Sequence, residues 1–407
     1  MGSRVFAPLT RGADTVGRWA AIALGFSIPI SVALDNALLV LVLACWLISG
    51  AFRHTGTIVK ENGVAVAAIV LYTMLVLGSL YGDRQAGDAG RYLVKYIDLL
   101  FIPVFLSIFR SPADRARAGY ALALSLALTL GVSFLLKTGL VPENPLLTGN
   151  SVSPAVFKLR LTHNILMAFA VFLFAVLARN AITARGRLVW ACLAVLAAIN
   201  VTLMVEGATG YLILGALTLL LGYDSLRWRG VGVAAAALAA ALAVLLAVPG
   251  PFQQRVGSIS AEIQQWQPSA RSDTSSGQRL EFYRNTLAIV AEHPFIGSGT
   301  GSFPRIYADK VRGTESLETK NPHNEFLHIT VQLGVIGLAA LLYLFWGQWR
   351  LSRRLATHLE RQLARGLVAT IAIGCLLNSL LLDHTEGLLY AWLTGVLYAG
   401  VQSRRDG

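Results

Sequence analysis

A histidine at the start of a long apolar run is the residue of this sequence best suited to proton transfer. His323 lies in the segment 321–325, which ends a polar stretch and leads into the apolar run 326–349. The sequence predicts a helix with Asn321 as its N-cap and Pro322 at its first position, so that His323 falls in the first turn. The positive end of a helix dipole disfavours imidazolium and attracts anions. We therefore interpret His323 as a neutral general base beside a phosphate; the alternative is an interfacial histidine with no chemical role.

Basic residues at the ends of other apolar runs are candidates for binding an anion. Lys95, Lys158 and Arg160 are three such residues. Each is explained equally well by a side chain that snorkels to lipid headgroups, whereas several of them converging on one pocket would form an anion site. His163 follows Arg160 by three residues and shares its predicted helix face. For Lys95, pairing with Asp98 is a further alternative.

Three other kinds of site are not supported by the spacing of residues. His323 and His328 are five residues apart, whereas a two-histidine zinc motif on a helix needs a spacing of four. The glycine-rich turn 297–301 follows no predicted strand, which argues against a nucleotide loop and favours a close backbone approach to another segment. The three cysteines all lie in apolar runs, so we expect no structural disulfide. We also expect no metal and no cofactor.

The composition indicates that membrane helices must position these residues. The chain has 407 residues, of which 55% are hydrophobic and only 14% charged, and its mean hydropathy is +0.60. These values are too apolar for a soluble domain of this length and indicate an all-α polytopic membrane protein. The formal net charge of +12 indicates basic residues concentrated in cytoplasmic loops, and not nucleic-acid binding.

Apolar runs separated by short polar breaks predict about twelve transmembrane helices. They lie near residues 18–35, 36–52, 63–82, 93–109, 118–137, 161–178, 188–205, 210–226, 231–249, 326–348, 366–382 and 387–402. Lysine and arginine are concentrated in alternate connections, so the positive-inside rule places both termini in the cytoplasm. The prediction is a bundle of nine spans over 1–249, one large outer loop region over 250–325, and spans ten to twelve with a cytoplasmic C-terminus over 326–407. His323 and the basic residues named above then lie at the outer side.

The outer loop region is predicted to contain amphipathic helices. Residues 253–267 are polar and compatible with a helix, and 268–277 form a turn-rich stretch. Residues 278–292 have apolar side chains at helical spacing, which predicts a helix that lies on the membrane face or packs over the bundle. Arg279 is at the start of this predicted helix.

Two motifs in this part of the chain resemble those of a known family. His323-Asn324, nine further residues, Gly334, two residues and Gly337 resemble the signature of bacterial O-antigen ligases. The outer loop, with Gly277-Gln278-Arg279 and a later His-Pro-x-x-Gly-x-Gly, is similar to that of the same superfamily. The predicted layout of about twelve spans with one large late loop fits as well.

One position departs from the family pattern. Relatives often carry an arginine directly before Thr209-Gly210-Tyr211, and here that position is Ala208. Either the anion contact there is dispensable or another cation replaces it, so no role is carried over to Ala208.

The resemblance implies a GT-C-like glycosyltransferase of the bacterial inner membrane with a periplasmic active site. The donor would be O-antigen linked to undecaprenyl pyrophosphate, and the acceptor would be a sugar hydroxyl of lipid A-core. His323 would act as the general base in a metal-independent, inverting single displacement, supported by Asn324 and His163. The cations that would bind the pyrophosphate and stabilise its charge are Arg279 and Arg160, with Arg284, Lys158 and Lys95 as lesser candidates.

Two other classes of function remain open at this level. An O-antigen polymerase or a protein O-oligosaccharyltransferase would use the same donor with a different acceptor. A polyprenyl-lipid flippase or secondary transporter is a more distant alternative, but the sequence has no internal repeat and its charges gather at the outer face.

Overall fold

The computed structural model describes residues 3–82, 88–145 and 147–401, and within them every regular element is helical. The expected all-α class is therefore confirmed. In chain order the helices are α1 (Ser3–Ser27), α2 (Val32–Ile48), α3 (Phe52–Glu61), α4 (Gly63–Gly78), α5 (Asp88–Lys95), α6 (Asp98–Ile108), α7 (Pro112–Lys137), α8 (Arg160–Asn180), α9 (Ala184–Ile199), α10 (Ala208–Ala247), α11 (Pro251–Gln265), α12 (Ser275–Glu292), α13 (Phe303–Val311), α14 (Glu325–Leu351), α15 (His358–Leu377) and α16 (His384–Tyr398).

Among the described residues, five helical segments are long and apolar enough to cross a membrane. They are Pro112–Lys137, Arg160–Asn180, Ala184–Met204, Ala208–Ala247 and Glu325–Arg354, and the bent pair α2 and α3 makes six if it is one span. The chain is thus a multi-pass membrane protein, but the predicted count of about twelve spans is not confirmed. One reason is length: α4 has 16 residues and α16 has 15, fewer than the roughly 20 that a bilayer requires.

The core of the bundle is built around α8 and α16. Most of the α8 side chains are buried, including Phe169, Phe172 and Phe174, and nearly every residue of α16 is buried as well. The Trp392 ring of α16 packs edge-on against Phe109, and its indole N–H donates to a backbone carbonyl of α1. This apolar centre fixes the positions of the helix ends at which the candidate site lies.

Three helices of the segment 250–325 pack over one end of the bundle. The predicted amphipathic helix 278–292 is confirmed as α12, which begins slightly earlier because Thr274 caps it by accepting a hydrogen bond from the Gly277 N–H. A small second core joins α12 and α13 to Val331 of α14. The assignment of this segment to the outer side of the membrane stays a prediction.

A break in α14 accommodates the glycine-rich turn that follows α12. Gly334 has a φ of +65°, and a Cβ there would lie 2.1 Å from the Phe295 carbonyl oxygen. The backbone N–H groups of Ser298 and Gly299 donate to the carbonyls of Val331 and Gln332, at 2.7 and 3.0 Å. The close backbone approach predicted for the 297–301 turn is therefore confirmed, and α14 is the segment that it approaches.

Candidate active site

His323 lies before the first residue of α14, and the predicted position in its first turn is wrong. The N-cap is Asn324, whose side-chain oxygen accepts from the Leu327 N–H at 3.0 Å. The Asn321 side chain instead accepts from the backbone N–H of His323 at 2.8 Å, which forms a turn outside the helix. His323 itself has a φ of +55°, which is incompatible with a helical turn.

Residues of α12 hold the histidine in this unusual conformation. The His323 ring stacks on Phe282 with 5.9 Å between ring centroids and 19° between planes. The Tyr283 hydroxyl donates to the His323 carbonyl at 3.0 Å and lies 3.1 Å from the Leu376 carbonyl of α15. Because non-glycine residues at positive φ persist only where their surroundings fix them, the imidazole is held by tertiary contacts.

Burial and a neighbouring cation keep the His323 imidazole uncharged. Burial is the larger cause that lowers the pKa of His323 below its ordinary value, and the positive charge of Arg279 is the second. A lowered pKa leaves the ring neutral near pH 7, which is the form that accepts a proton.

Arg279 is linked to two further segments through Asn378. Its Nη2 donates to Asn378 Oδ1 at 3.3 Å, and Asn378 Nδ2 donates to Thr209 Oγ1 at 2.9 Å. The Asn378 carbonyl also accepts from the Glu325 N–H at 3.2 Å. Within the described residues no ion pair joins Arg279 to a carboxylate, and its burial lowers its pKa. A partly desolvated guanidinium bonded to a neutral amide has its charge available for an anionic ligand.

Two further arginines extend this positive region. Arg160 is exposed at the start of α8, and its charge and that of Arg255 both act on the Tyr211 hydroxyl. Arg255 also acts electrostatically on Arg279. Arg255 was not predicted from the sequence, because it lies in a polar stretch without a motif. Thr209 and Tyr211 come from the stretch next to Ala208, so this departure from the family pattern lies close to the same cations.

The remaining predicted residues have other partners. Arg284 donates to Glu281 and Ser269, at 2.9 and 2.7 Å. Lys158 is buried and its Nζ lies 3.8 Å from Asp35 Oδ2, because a desolvated ammonium requires a counter-charge.

His163 and Lys95 are also separate from the His323 ring contacts. His163 is buried, with Nε2 at 3.1 Å from Asn200 Oδ1. Lys95 is exposed and lines a cleft of about 900 Å³ together with Arg91, Lys320 and Asn321. Since Asn321 holds the His323 backbone, this cleft adjoins the histidine segment.

Glu325 is a buried acid at the first position of α14, directly after the N-cap Asn324. Its carboxylate accepts from the Tyr96 hydroxyl at 2.5 Å and from the Leu381 N–H at 3.0 Å. These bonds tie the start of α14 to the segments before α6 and α16. Glu325 therefore positions the His323 loop.

A metal site has no support from side-chain clusters. In the part of the chain that the structure describes, no group of three or more metal-ligating side chains is found.

Comparison with known proteins finds a family match over part of the chain. Residues 193–342 match the family model described as O-antigen ligase, and this range contains Arg255, Arg279, His323, Gly334 and Gly337. An uncharacterized protein of Haemophilus influenzae is 23% identical over 265 residues, which cover 60% of this chain and 61% of that protein. Residues 193–342 of this multi-pass membrane protein are thus similar to the O-antigen ligase family.

Proposed function

We propose that this protein is an O-antigen ligase that acts at the periplasmic face of the bacterial inner membrane. It transfers O-antigen from undecaprenyl pyrophosphate to a sugar hydroxyl of lipid A-core. The observation that carries this proposal is the pairing of a neutral, half-buried His323 with the nearby charge of Arg279, inside the region that matches the family.

In the proposed reaction His323 removes the proton of the acceptor hydroxyl. The hydroxyl oxygen then attacks the anomeric carbon of the donor sugar, and the bond from that carbon to the pyrophosphate oxygen breaks. A single displacement of this kind inverts the anomeric configuration. The proton stays on the imidazole, and the pyrophosphate leaves with the bonding electron pair.

The arginines stabilise the negative charge of the leaving group. Arg279 is the principal ligand, because among the described residues its guanidinium bonds only to the neutral amide of Asn378. Arg160 and Arg255 contribute from α8 and α11, and their shared proximity to Tyr211 supports this assignment. The reaction then needs no metal ion, since guanidinium groups neutralise the diphosphate. Arg284, Lys158 and Lys95 have no direct role in the proposed reaction, because the first two have carboxylate partners and Lys95 is not among the residues that contact the His323 ring.

The experiment is a transfer assay with the purified wild-type protein and a polyprenyl-pyrophosphate-linked glycan in the presence of a chelator. Three acceptors are supplied separately: lipid A-core, a second O-antigen repeat and a protein with a glycosylation site. We expect product with lipid A-core alone. Transfer to either other acceptor would instead identify a polymerase or a protein oligosaccharyltransferase. Movement of the donor across proteoliposomes without any transfer would identify a flippase.

A further inference from the structure

Two adjoining cavities lie at the far end of α14 from His323. A groove of about 710 Å³ is lined by Leu219, Leu220, Trp349 and other side chains of α10, α14 and the segment beyond it; we call it the Trp349 groove. A smaller pocket of about 240 Å³ is lined by Asp224, Arg361, Gln362 and others; we call it the Gln362 pocket. Tyr223, Arg227 and Arg365 line both, so the two cavities share one wall.

The Gln362 pocket contains buried polar atoms that lack partners. Gln362 is 1% exposed, and neither its side-chain nitrogen nor its oxygen has a hydrogen-bond partner among the described residues. The same is true of Asp224 Oδ2 and Arg361 Nε. Leaving buried polar groups unpaired costs about 1–3 kcal/mol each, so their convergence on one cavity indicates a polar occupant.

The charge of the pocket is positive. Arg227, Arg361 and Arg365 line it, and Asp224 is its one acidic lining residue. Arg365 Nη1 is paired with Asp224 Oδ1 at 2.9 Å, so Arg227 and Arg361 carry the excess charge. Phosphate and carboxylate are the anions whose geometry suits converging guanidinium groups.

Arg227 has a strained backbone conformation, and its side chain lies on the wall that the two cavities share. α10 is interrupted at Leu226 and Arg227, and Arg227 has a φ of +55°. Its guanidinium lies 5.6 Å from the Tyr223 ring centroid, and that of Arg365 lies 5.9 Å from the Trp349 ring centroid. Non-glycine residues at positive φ concentrate at ligand sites, and the aromatic rings hold both cations in place.

The Trp349 groove supplies an apolar surface beside this polar pocket. Leucine, valine and tryptophan side chains form most of its wall. A ligand that fills both cavities must therefore combine an anionic group with an apolar chain. Basic pockets between membrane helices are a common binding site for anionic lipid headgroups.

We propose that these two cavities form one binding site for an anionic phospholipid with a hydroxylated headgroup, such as phosphatidylglycerol. The phosphate binds Arg227 and Arg361, and an acyl chain lies in the Trp349 groove. The headgroup hydroxyls donate to Asp224 Oδ2 and to the Gln362 side-chain oxygen, which gives those atoms the partners that they lack. The site is separate from the proposed active site and does not depend on the proposed reaction.

The test measures lipid binding to the full-length protein in neutral detergent by native mass spectrometry, and its melting midpoint as lipid is added. The probes are phosphatidylglycerol, phosphatidic acid, phosphatidylcholine and inorganic phosphate. We expect phosphatidylglycerol to bind most tightly and to raise the melting midpoint. Phosphatidic acid should bind more weakly because it lacks the glycerol hydroxyls, and phosphatidylcholine and phosphate should have little effect.

Three variants locate the site. Arg227→Gln and Arg361→Gln should each weaken phosphatidylglycerol binding roughly tenfold, since each removes a charge-assisted hydrogen bond. The matched control is Arg354→Gln, because Arg354 is exposed nearby but lines neither cavity, and it should bind as the wild type does. Arg227 is exposed, so its substitution leaves folding intact even if that of Arg361 does not.

Three results would overturn the proposal. If Arg227→Gln bound phosphatidylglycerol as tightly as the wild type does, the lipid would not bind at these cavities. If inorganic phosphate raised the melting midpoint as much as phosphatidylglycerol does, the site would bind a free anion and not a lipid. Equal binding of phosphatidylcholine would show that neither the charge nor the hydroxyls of the headgroup are recognised.

Discussion

At the residue scale, the chemistry of this protein depends on the protonation state of one imidazole. His323 has a lowered pKa because it is partly buried and because Arg279 repels a second positive charge. The same arginine therefore serves two purposes in the proposed reaction. It keeps the base unprotonated in the free enzyme, and it attracts the pyrophosphate that leaves.

The pH dependence of the transfer rate follows from this pair. The neutral imidazole is the active form, so the rate should fall with decreasing pH only as the pH passes through the lowered pKa of His323, below its ordinary value of 6.5. Arg279→Gln removes the repulsion, and we expect the acidic limb of the residual activity to move to higher pH. Initial rates across a pH series would measure the acidic limb of the wild type and that of Arg279→Gln.

Arg279→Lys is the matched control for that shift. It retains the positive charge, so its acidic limb should stay near that of the wild type even though its rate falls through loss of bidentate phosphate binding. An acidic limb at the same pH in the wild type and in Arg279→Gln would contradict the electrostatic link between the two residues.

At the element scale, the break in α14 joins the helix that follows His323 to the turn that follows α12. Gly334→Ala would place a Cβ 2.1 Å from the Phe295 carbonyl oxygen at a residue with positive φ. With a ψ of −164° the backbone of Gly334 lies in a region that only glycine adopts readily, so we expect a loss of stability of about 1–3 kcal/mol from this conformation alone, with a further loss from the clash. The melting midpoint in detergent should fall, and the transfer rate should fall with it as His323 loses its support.

Gly347→Ala is the control in the same helix. A Cβ at Gly347 meets no atom within 4 Å, so this substitution should leave the melting midpoint unchanged or raise it slightly. Equal effects of the two substitutions would show that the turn 297–301 does not depend on the break.

The elements themselves differ in how far the sequence could predict them. The end of α12 at Glu292 could be predicted, because His293, Pro294 and a glycine-rich turn follow it directly. The start of α14 was not, since Asn321 and Asn324 are both good N-caps and local sequence cannot choose between them. The choice of Asn324 depends on bonds from Tyr283 and to Leu376, which come from distant parts of the chain.

The same limit applies to the candidate site. His323 and Arg279 could be predicted from the sequence, because each lies in a recognisable motif and near the start of a predicted helix. Asn378, which connects Arg279 to Thr209, lies inside an apolar run and carries no sequence signal apart from its own polarity. The pairing of Lys158 with Asp35 could not be predicted from the sequence either. The two charges come together only because α2 packs against the segment before α8.

At the scale of the whole molecule, the proposed reaction requires the His323 end of the bundle to face the periplasm. Labelling of single cysteines with a membrane-impermeant maleimide tests this orientation, after the exposed Cys192 is replaced by serine. Gln264→Cys in α11 should react in intact spheroplasts, because the 250–325 segment is predicted to lie outside.

Ala356→Cys tests the side of the membrane that is predicted to be cytoplasmic. Residue 356 is exposed between α14 and α15, in a connection rich in arginine, and should react only after the membrane is permeabilised. Labelling of both cysteines in intact spheroplasts, or of neither, would contradict the predicted topology. The reverse pattern would place His323 in the cytoplasm and exclude a periplasmic reaction.

The rate of glycan transfer by His323→Ala tests the central claim most directly. The purified variant is assayed with a polyprenyl-pyrophosphate donor and lipid A-core, beside the wild type and His54→Ala, in which an exposed histidine of α3 is removed. Loss of a general base should reduce the rate about 10²- to 10⁴-fold, with the rate of His54→Ala unchanged and the melting midpoint of His323→Ala close to that of the wild type. A transfer rate near the wild-type value in His323→Ala would show that this imidazole is not the base.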